Sequence, residues 1–325
     1  MEALFPVEMA SGSVKSQADL DAGFSTYPQL SRTYVQTALY WEDLRKWYEN
    51  HWPRVHYYLD RDFLRKFKLE EEHLARAWEF HIAAVFSDKG LLLEEKNWEY
   101  GPDFCIKLPN GRKLWIEAIA CDRGKVDPVG PYPNLLPGRI YSFGGNIEDT
   151  HRPRALRITN AIGTKLEKFS RYLDNPEKSG VRADDCLIIA VNGSAIQHHD
   201  EPITLFKYSI FGQGPDVLVR VRGKERFQSG FYKPIATISK KSGDKEHPIP
   251  ANFMEMEAFS KISAVMYCGH TVSHSWLNGT EPGDDFLFGY HTRPDNPVPE
   301  GTFKFGRGIR KDLERGSISD INQML

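Results

Sequence analysis

Residues 97–122 read NWEYGPDFCIKLPNGRKLWIEAIACD, and two carboxylates in that stretch stand in costly places. Asp103 sits at the mouth of an apolar run, Phe104, Cys105 and Ile106. Glu117 lies inside the next run, with Leu114, Trp115 and Ile116 before it and Ala118 and Ile119 after it. A carboxylate in an apolar strand is expensive unless something pairs with it. A divalent cation is one such partner. Mg²⁺ takes hard oxygen ligands and keeps several waters, so two or three carboxylates suffice to hold it. Beside a phosphodiester it can serve the attacking water, the phosphate charge and the leaving oxygen together. Two plainer roles stand beside this one: Asp103 as a turn or capping aspartate, and Glu117 as the partner of an arginine.

The elements around the pair decide whether such chemistry is reachable. Phe104–Leu108, a Pro-Asn-Gly turn at 109–111 and Lys113–Ala120 read as a β-hairpin, which would bring Asp103 near Glu117. The carbonyl of Ile119 could add a further oxygen. Upstream, EEHLARAWEFHIAAVFSDK (71–89) predicts a helix with Leu74, Ala77, Trp78, His81, Ile82 and Val85 on its apolar face and Gly90 as a stop. Glu79 on that helix would face the hairpin if the helix packs there; otherwise it is a solvated surface residue. Downstream, residues 122–151 are rich in Pro and Gly and predict a long loop. A second helix follows from Pro153 to about Leu173, then a short buried strand, CLIIAV, at 186–191. LLLEEKNW predicts a strand or strand edge, residues 203–239 predict more strands, and Pro248 to Met266 predicts helix running into strand.

A helix with a glutamate, then Pro-Asp, then a strand carrying a carboxylate, then a basic helix resembles the layout of the PD-(D/E)XK nuclease superfamily, the restriction-endonuclease-like fold. The resemblance covers roughly residues 70–192 and rests on WEFHIAAVFSDKG with Glu79, GPDF with Asp103 and WIEAI with Glu117. It implies a mixed β-sheet flanked by helices and Mg²⁺-dependent (or Mn²⁺-dependent) cleavage of nucleic acid. On that resemblance Asp103 and Glu117 would be metal ligands and Glu79 a candidate for a further one, beside the Ile119 carbonyl that the hairpin itself offers. The family's lysine should stand two residues after Glu117, where this chain has Ile119. The helix after the hairpin offers Lys165 and Lys168, and Lys165 is the preferred replacement. Without one, the fold would bind nucleic acid or a partner without cutting.

Composition bounds the rest. The chain has 325 residues, 40% hydrophobic and 12% aromatic, and a formal net charge of −2. That suits a folded globular protein and excludes a polycation, while the order helix, hairpin, helix, strand predicts an α/β fold on a mixed sheet; contact with nucleic acid, DNA being the expected polymer, must come from local basic patches. Arg152, Arg154 and Arg157 form one cluster and Arg220, Arg222, Lys224 and Arg226 another, with Lys168 a further candidate contact; an ordinary charged surface is the plainer reading of both. The predicted organisation is an N-terminal arm with aromatic-rich helices (1–70), a nuclease-like α/β core (71–240) and a C-terminal extension packed on it (241–325). The aromatic stripe Tyr34, Ala38, Trp41, Leu44, Trp47 and Tyr48 has helical spacing and reads as packing surface. Four cysteines without paired spacing, no membrane-length apolar stretch and no signal-like N-terminus predict a cytoplasmic protein. A second Pro-Asp, GPDV at 214–217, lacks a following acidic strand, and Cys268, His270 and His274 fit no common zinc spacing.

Overall fold

The computed structural model describes residues 2–6, 9, 17–121, 147–196, 202–213, 217–220, 227–230, 235–242, 245–270, 281–312 and 318–321. Helices come first: α1 (Gln17–Thr26), α2 (Arg32–Leu39), α3 (Glu42–Val55), α4 (Phe63–Phe67) and α5 (Glu70–Asp88). The aromatic stripe of α2 and α3 turns inward, as its spacing predicts. Tyr34, Tyr48 and Trp52 are buried against Phe5, Phe63, Phe67 and Phe80 in one cluster. The rings meet by stacking and by edge contacts, such as Phe5 on Tyr34 at 5.0 Å and Tyr34 on Phe67 at 5.7 Å. α5 opens on Glu70, Glu71 and Glu72, three acids at the positive end of the helix dipole, and stops at Gly90, whose φ is +74°.

The hairpin is present. Gly111, at φ +79°, takes the left-handed conformation the turn needs. β1 (Phe104–Lys107) and β2 (Lys113–Ala120) pair antiparallel around it, Phe104 opposite Ile116 and Lys107 opposite Lys113. α6 (Ile147–Leu173) and the short α7 (Pro176–Ser179) then lead to β3 (Cys186–Asn192), which lies parallel to β2. Parallel neighbours need such a crossover, because a tight turn cannot join them. α8 (Pro202–Phe211) follows, then two separate hairpins, β4 (Val217–Arg220) with β5 (Phe227–Gly230) and β6 (Thr237–Ser242) with β7 (Lys245–Pro250).

The C-terminal part adds β8 (Ala264–Cys268), β9 (Leu287–Tyr290), β10 (Arg307–Lys311) and β11 (Ile318–Ile321) to the same sheet. The result is a seven-stranded mixed sheet in the order β1-β2-β3-β8-β9-β10-β11. Alternation along the strands sends side chains to two faces. Ile106, Leu114, Ile116, Ile188 and Ala190 join the aromatic cluster of the N-terminal helices. Trp115, Leu187, Ile189 and Val191 pack with Ile158, Ile162 and Phe169 of α6 and Leu205 and Phe206 of α8. With both faces covered, β3 is buried along its whole length, which is why CLIIAV carries no polar alternation.

Local readings differ from the structure in four places. Residues 202–211 are helical, not strand: Ile203, Leu205, Phe206, Tyr208, Ile210 and Phe211 are all buried, and a helix apolar nearly all round loses its period. Leu93 makes a single bridge to Ile106 where a strand is expected. Residues 253–259 form two short 3₁₀ turns instead of a helix before β8. α6 begins six residues before Pro153, at Ile147; most of the predicted loop, 122–146, lies outside the described residues. No helix of the described residues is long and apolar enough to cross a membrane.

Candidate active site

Glu117 is the most buried carboxylate of the site, at 0% exposure, in the middle of β2 on the face that α6 covers. Three residues of α6 meet it. Lys165 Nζ donates to Glu117 Oε1 at 2.7 Å, Lys168 Nζ donates to the same oxygen at 2.8 Å, and the Tyr172 hydroxyl lies 3.5 Å from Oε2. Positions 165, 168 and 172 share one helical face, and buried Ala161, Ile162 and Phe169 fix that helix against the sheet. Lys165 is itself buried, while the Lys168 side chain is 40% exposed. The partner of Glu117 is thus a pair of lysines, not the arginine that sequence alone allows.

Asp103 lies one residue before β1, where the edge strand has not yet begun. Its Oδ2 accepts the Ala118 backbone N–H at 2.7 Å, filling the ladder position that a longer β1 would occupy. Its Oδ1 lies 3.8 Å from Lys96 Nζ. It is therefore more than a turn aspartate: it closes the exposed side of β2 beside Glu117. Backbone direction along β2 follows from two bonds. Ala118 N–H points to Asp103, and Cys121 N–H points to the Asn192 carbonyl on the β3 side. Backbone groups alternate along a strand, so the Ile119 carbonyl is turned toward β3 and the carbonyl on the Asp103 side is that of Ala118. The Ile119 oxygen expected as a ligand is directed away from the pair.

Glu79 approaches from α5. Its Oε2 accepts from Arg76 Nη1 at 2.6 Å, one helical turn back. Arg76 Nη1 also lies 3.3 Å from Asp60 Oδ2, and Asp60 Oδ1 accepts from Lys96 Nζ at 2.6 Å. The chain Glu79–Arg76–Asp60–Lys96–Asp103 is continuous, and Asp60, just before α4, brings the N-terminal helices into it. Glu79 is buried, not solvated.

These groups feel one another. Burial first, then the Asp103 charge, pushes Glu79 up to about 8, against the opposing pull of Arg76. The same two causes in the same order raise Glu117, against the pull of Lys165 and Lys168. Burial works against the charged forms of Lys96 and Lys168, yet the nearby carboxylates outweigh it and hold both above the ordinary lysine value. Arg76 behaves likewise beside Glu79 and Asp103. The Asp103 charge raises the proton affinity of both Glu79 and Glu117, and a cation between like charges relieves such repulsion. The donor set is two carboxylates of the type that would suit a water-rich Mg²⁺, Asp103 and Glu117, the first engaged by the Ala118 N–H and the second by Lys165 and Lys168. It does not form an all-protein cage: among the described residues no group of three or more His, Cys, Asp or Glu side chains could hold a metal.

The other expected residues separate. Arg154 is buried, and Arg152 and Arg157 are half-buried on α6, so the basic patch is partly folded into the core. Arg220 ends β4 with its side chain outside the described residues, and Arg222 lies outside them entirely. Cys268 Sγ lies 3.3 Å from both the His270 carbonyl and Asp285 Oδ2; His274 is outside the described residues. Asp60, Arg76, Lys96 and Tyr172 were not singled out by sequence. Only Tyr172 had a local signal, its spacing from Lys165 and Lys168; the others are joined to the site by contacts between distant segments.

The class these observations define is an α/β protein with a mixed seven-stranded sheet between helical layers, carrying a recessed carboxylate–lysine cluster at one edge. No protein-family model matches the chain, and comparison with curated proteins and with solved structures finds no match.

Proposed function

We propose that this chain is a metal-dependent hydrolase of nucleic-acid phosphodiester bonds, with DNA as the expected polymer and a PD-(D/E)XK-like site. One observation carries the reading: Lys165, expected to replace the lysine absent at Ile119, has its Nζ 2.7 Å from Glu117 Oε1. Asp103 and Glu117 would hold the Mg²⁺ or Mn²⁺. Bound there, the ion would neutralise the phosphate and lower the pKa of a coordinated water. Lys165 stands ready to hold the attacking water or to meet negative charge developing on the phosphate. Burial of Glu117 and Lys165 keeps that interaction strong by excluding bulk water. Arg76 and Lys96 balance Glu79 and Asp103 from behind, so the acids stay close together without unfolding the edge.

A cleavage assay on labelled DNA with Mg²⁺ or Mn²⁺ tests this. Lys165→Ala lowers the rate by about 10²-fold or more, the scale for losing one group that stabilises the transition state. Lys168 still holds Glu117 in that variant. A Lys165→Ala protein that cleaves as fast as wild type overturns the assignment.

A second reading has its own support. Both lysines share Glu117 Oε1, so they compete with a cation for that oxygen. On that reading the fold binds nucleic acid without cutting, and wild type shows no cleavage with either ion.

A further inference from the structure

The cluster is recessed. Side-chain exposure is 1% for Glu117, 10% for Lys165, 6% for Glu79 and 16% for Asp103. The stiff backbone of an intact duplex is poorly shaped to reach carboxylates at that depth, whereas a single strand is thin and flexible. The residues just outside the cluster fit the second kind of ligand.

Four large apolar or aromatic side chains are exposed among the described residues: Tyr40, Tyr57, Leu92 and Tyr100. Two of the four are each bonded or packed to a residue that touches the cluster. Tyr57, 52% exposed, accepts the Lys96 backbone N–H at its carbonyl at 2.9 Å, and Lys96 is the lysine beside Asp103. Tyr100, 40% exposed, packs edge-on against Tyr172 at 5.3 Å, and Tyr172 is the hydroxyl nearest Glu117 Oε2. The two loops that carry them are clasped together. Lys96 bonds to Asp60 at 2.6 Å, and Arg61 lies 3.8 Å from Glu99. Each ring is also braced: Tyr57 on the His56 ring at 3.7 Å, and Tyr100 by its hydroxyl, which donates to the Arg171 carbonyl at 3.4 Å. Braced, half-exposed aromatics beside a cluster that carries Lys96, Lys165 and Lys168 suit single-strand binding, since every base offers a face to stack on.

We infer that Tyr57 and Tyr100 are stacking platforms for unpaired bases, and that the site takes single-stranded nucleic acid or a frayed end in preference to intact duplex. This rests on the reading of the cluster as a nucleic-acid site. It does not depend on cleavage.

Fluorescence anisotropy with a labelled single strand and a blunt duplex of the same sequence, in chelator so that nothing is cut, provides the test. Wild type binds the single strand more tightly than the duplex. Tyr57→Ala and Tyr100→Ala each weaken single-strand binding about 10-fold and leave duplex binding unchanged. Tyr57→Phe binds as wild type, Tyr100→Phe, which keeps the ring and loses its bond to the Arg171 carbonyl, binds more tightly than Tyr100→Ala, and Tyr100→Leu, which keeps apolar packing on Tyr172, binds as weakly as the alanine variant. Equal affinity for both forms, alanine variants that bind like wild type, or no binding at all would overturn the inference. The two readings separate cleanly. Tyrosine-dependent binding without Mg²⁺-dependent cleavage sinks the nuclease alone. Duplex cleavage that needs Lys165 but neither tyrosine sinks this inference alone.

Discussion

Two neighbouring residues of α5 belong to opposite kinds of structure. Phe80 is buried in the aromatic wall formed with Tyr48, Trp52 and Phe63. Glu79 is buried as well, but its neighbours are Arg76 and, by charge, Asp103 and Asp60. The aromatic wall needs only apolar area, and it gains stability from each ring. The charged edge needs each member, because one carboxylate or ammonium removed leaves another buried and unpaired. A fold spends stability on such an edge where chemistry or binding asks for it. The wall explains how the sheet is held, and the edge is where function is to be sought.

That contrast can be broken by substitution. Phe80→Ala empties the middle of the wall and should destabilise the protein by about 3–5 kcal/mol, read as a lower urea midpoint. At temperatures where the variant stays folded, its metal titration should match wild type; a lost metal signal in a folded protein would mean that wall and edge are not separate. Asp60→Asn should cost less, about 1–3 kcal/mol, because Lys96 and Arg76 lose a charged acceptor in a mostly buried setting. An unchanged urea midpoint would remove Asp60 from the network.

A further prediction concerns protons. In the folded protein Glu79 is raised from the ordinary 4.5 to about 8, so the native state binds this proton more tightly than the unfolded chain. Its contribution is fully present below pH 4.5 and is lost as pH rises toward about 8. Glu79→Gln mimics the protonated form and should flatten that decline, leaving the variant more stable relative to wild type at pH 8 than at pH 5. Parallel stability curves for the two proteins across that window would contradict the cause assigned to Glu79.

How much of this could be read in the sequence follows from how local each feature is. The hairpin was legible because Pro109, Asn110 and Gly111 announce their own turn. The burial of Glu117 was legible from its apolar neighbours, and the approach of Lys165 from the helix that follows. The Arg76–Asp60–Lys96 chain was not legible, since it joins three segments whose contacts depend on the folded packing. The direction of the Ile119 carbonyl was hidden for a similar reason: it depends on which edge of β2 each neighbour occupies. α8 escaped because Ile203 to Phe211 is apolar on nearly every side, a pattern that a buried strand shares. Arg154 looked like surface because charge is usually solvated, and only the orientation of α6 puts it inside.

The central claim is that Asp103 and Glu117 form a cation site, and calorimetric titration with Mn²⁺ and Mg²⁺ tests it most directly. The comparison is wild type against Asp103→Asn/Glu117→Gln, which keeps the shapes and removes both charges; circular dichroism checks that the variant is folded. The account predicts saturable binding to wild type and a folded variant that binds at least about 10-fold more weakly. Titrations that superimpose, or a wild type that takes up neither ion, would contradict it.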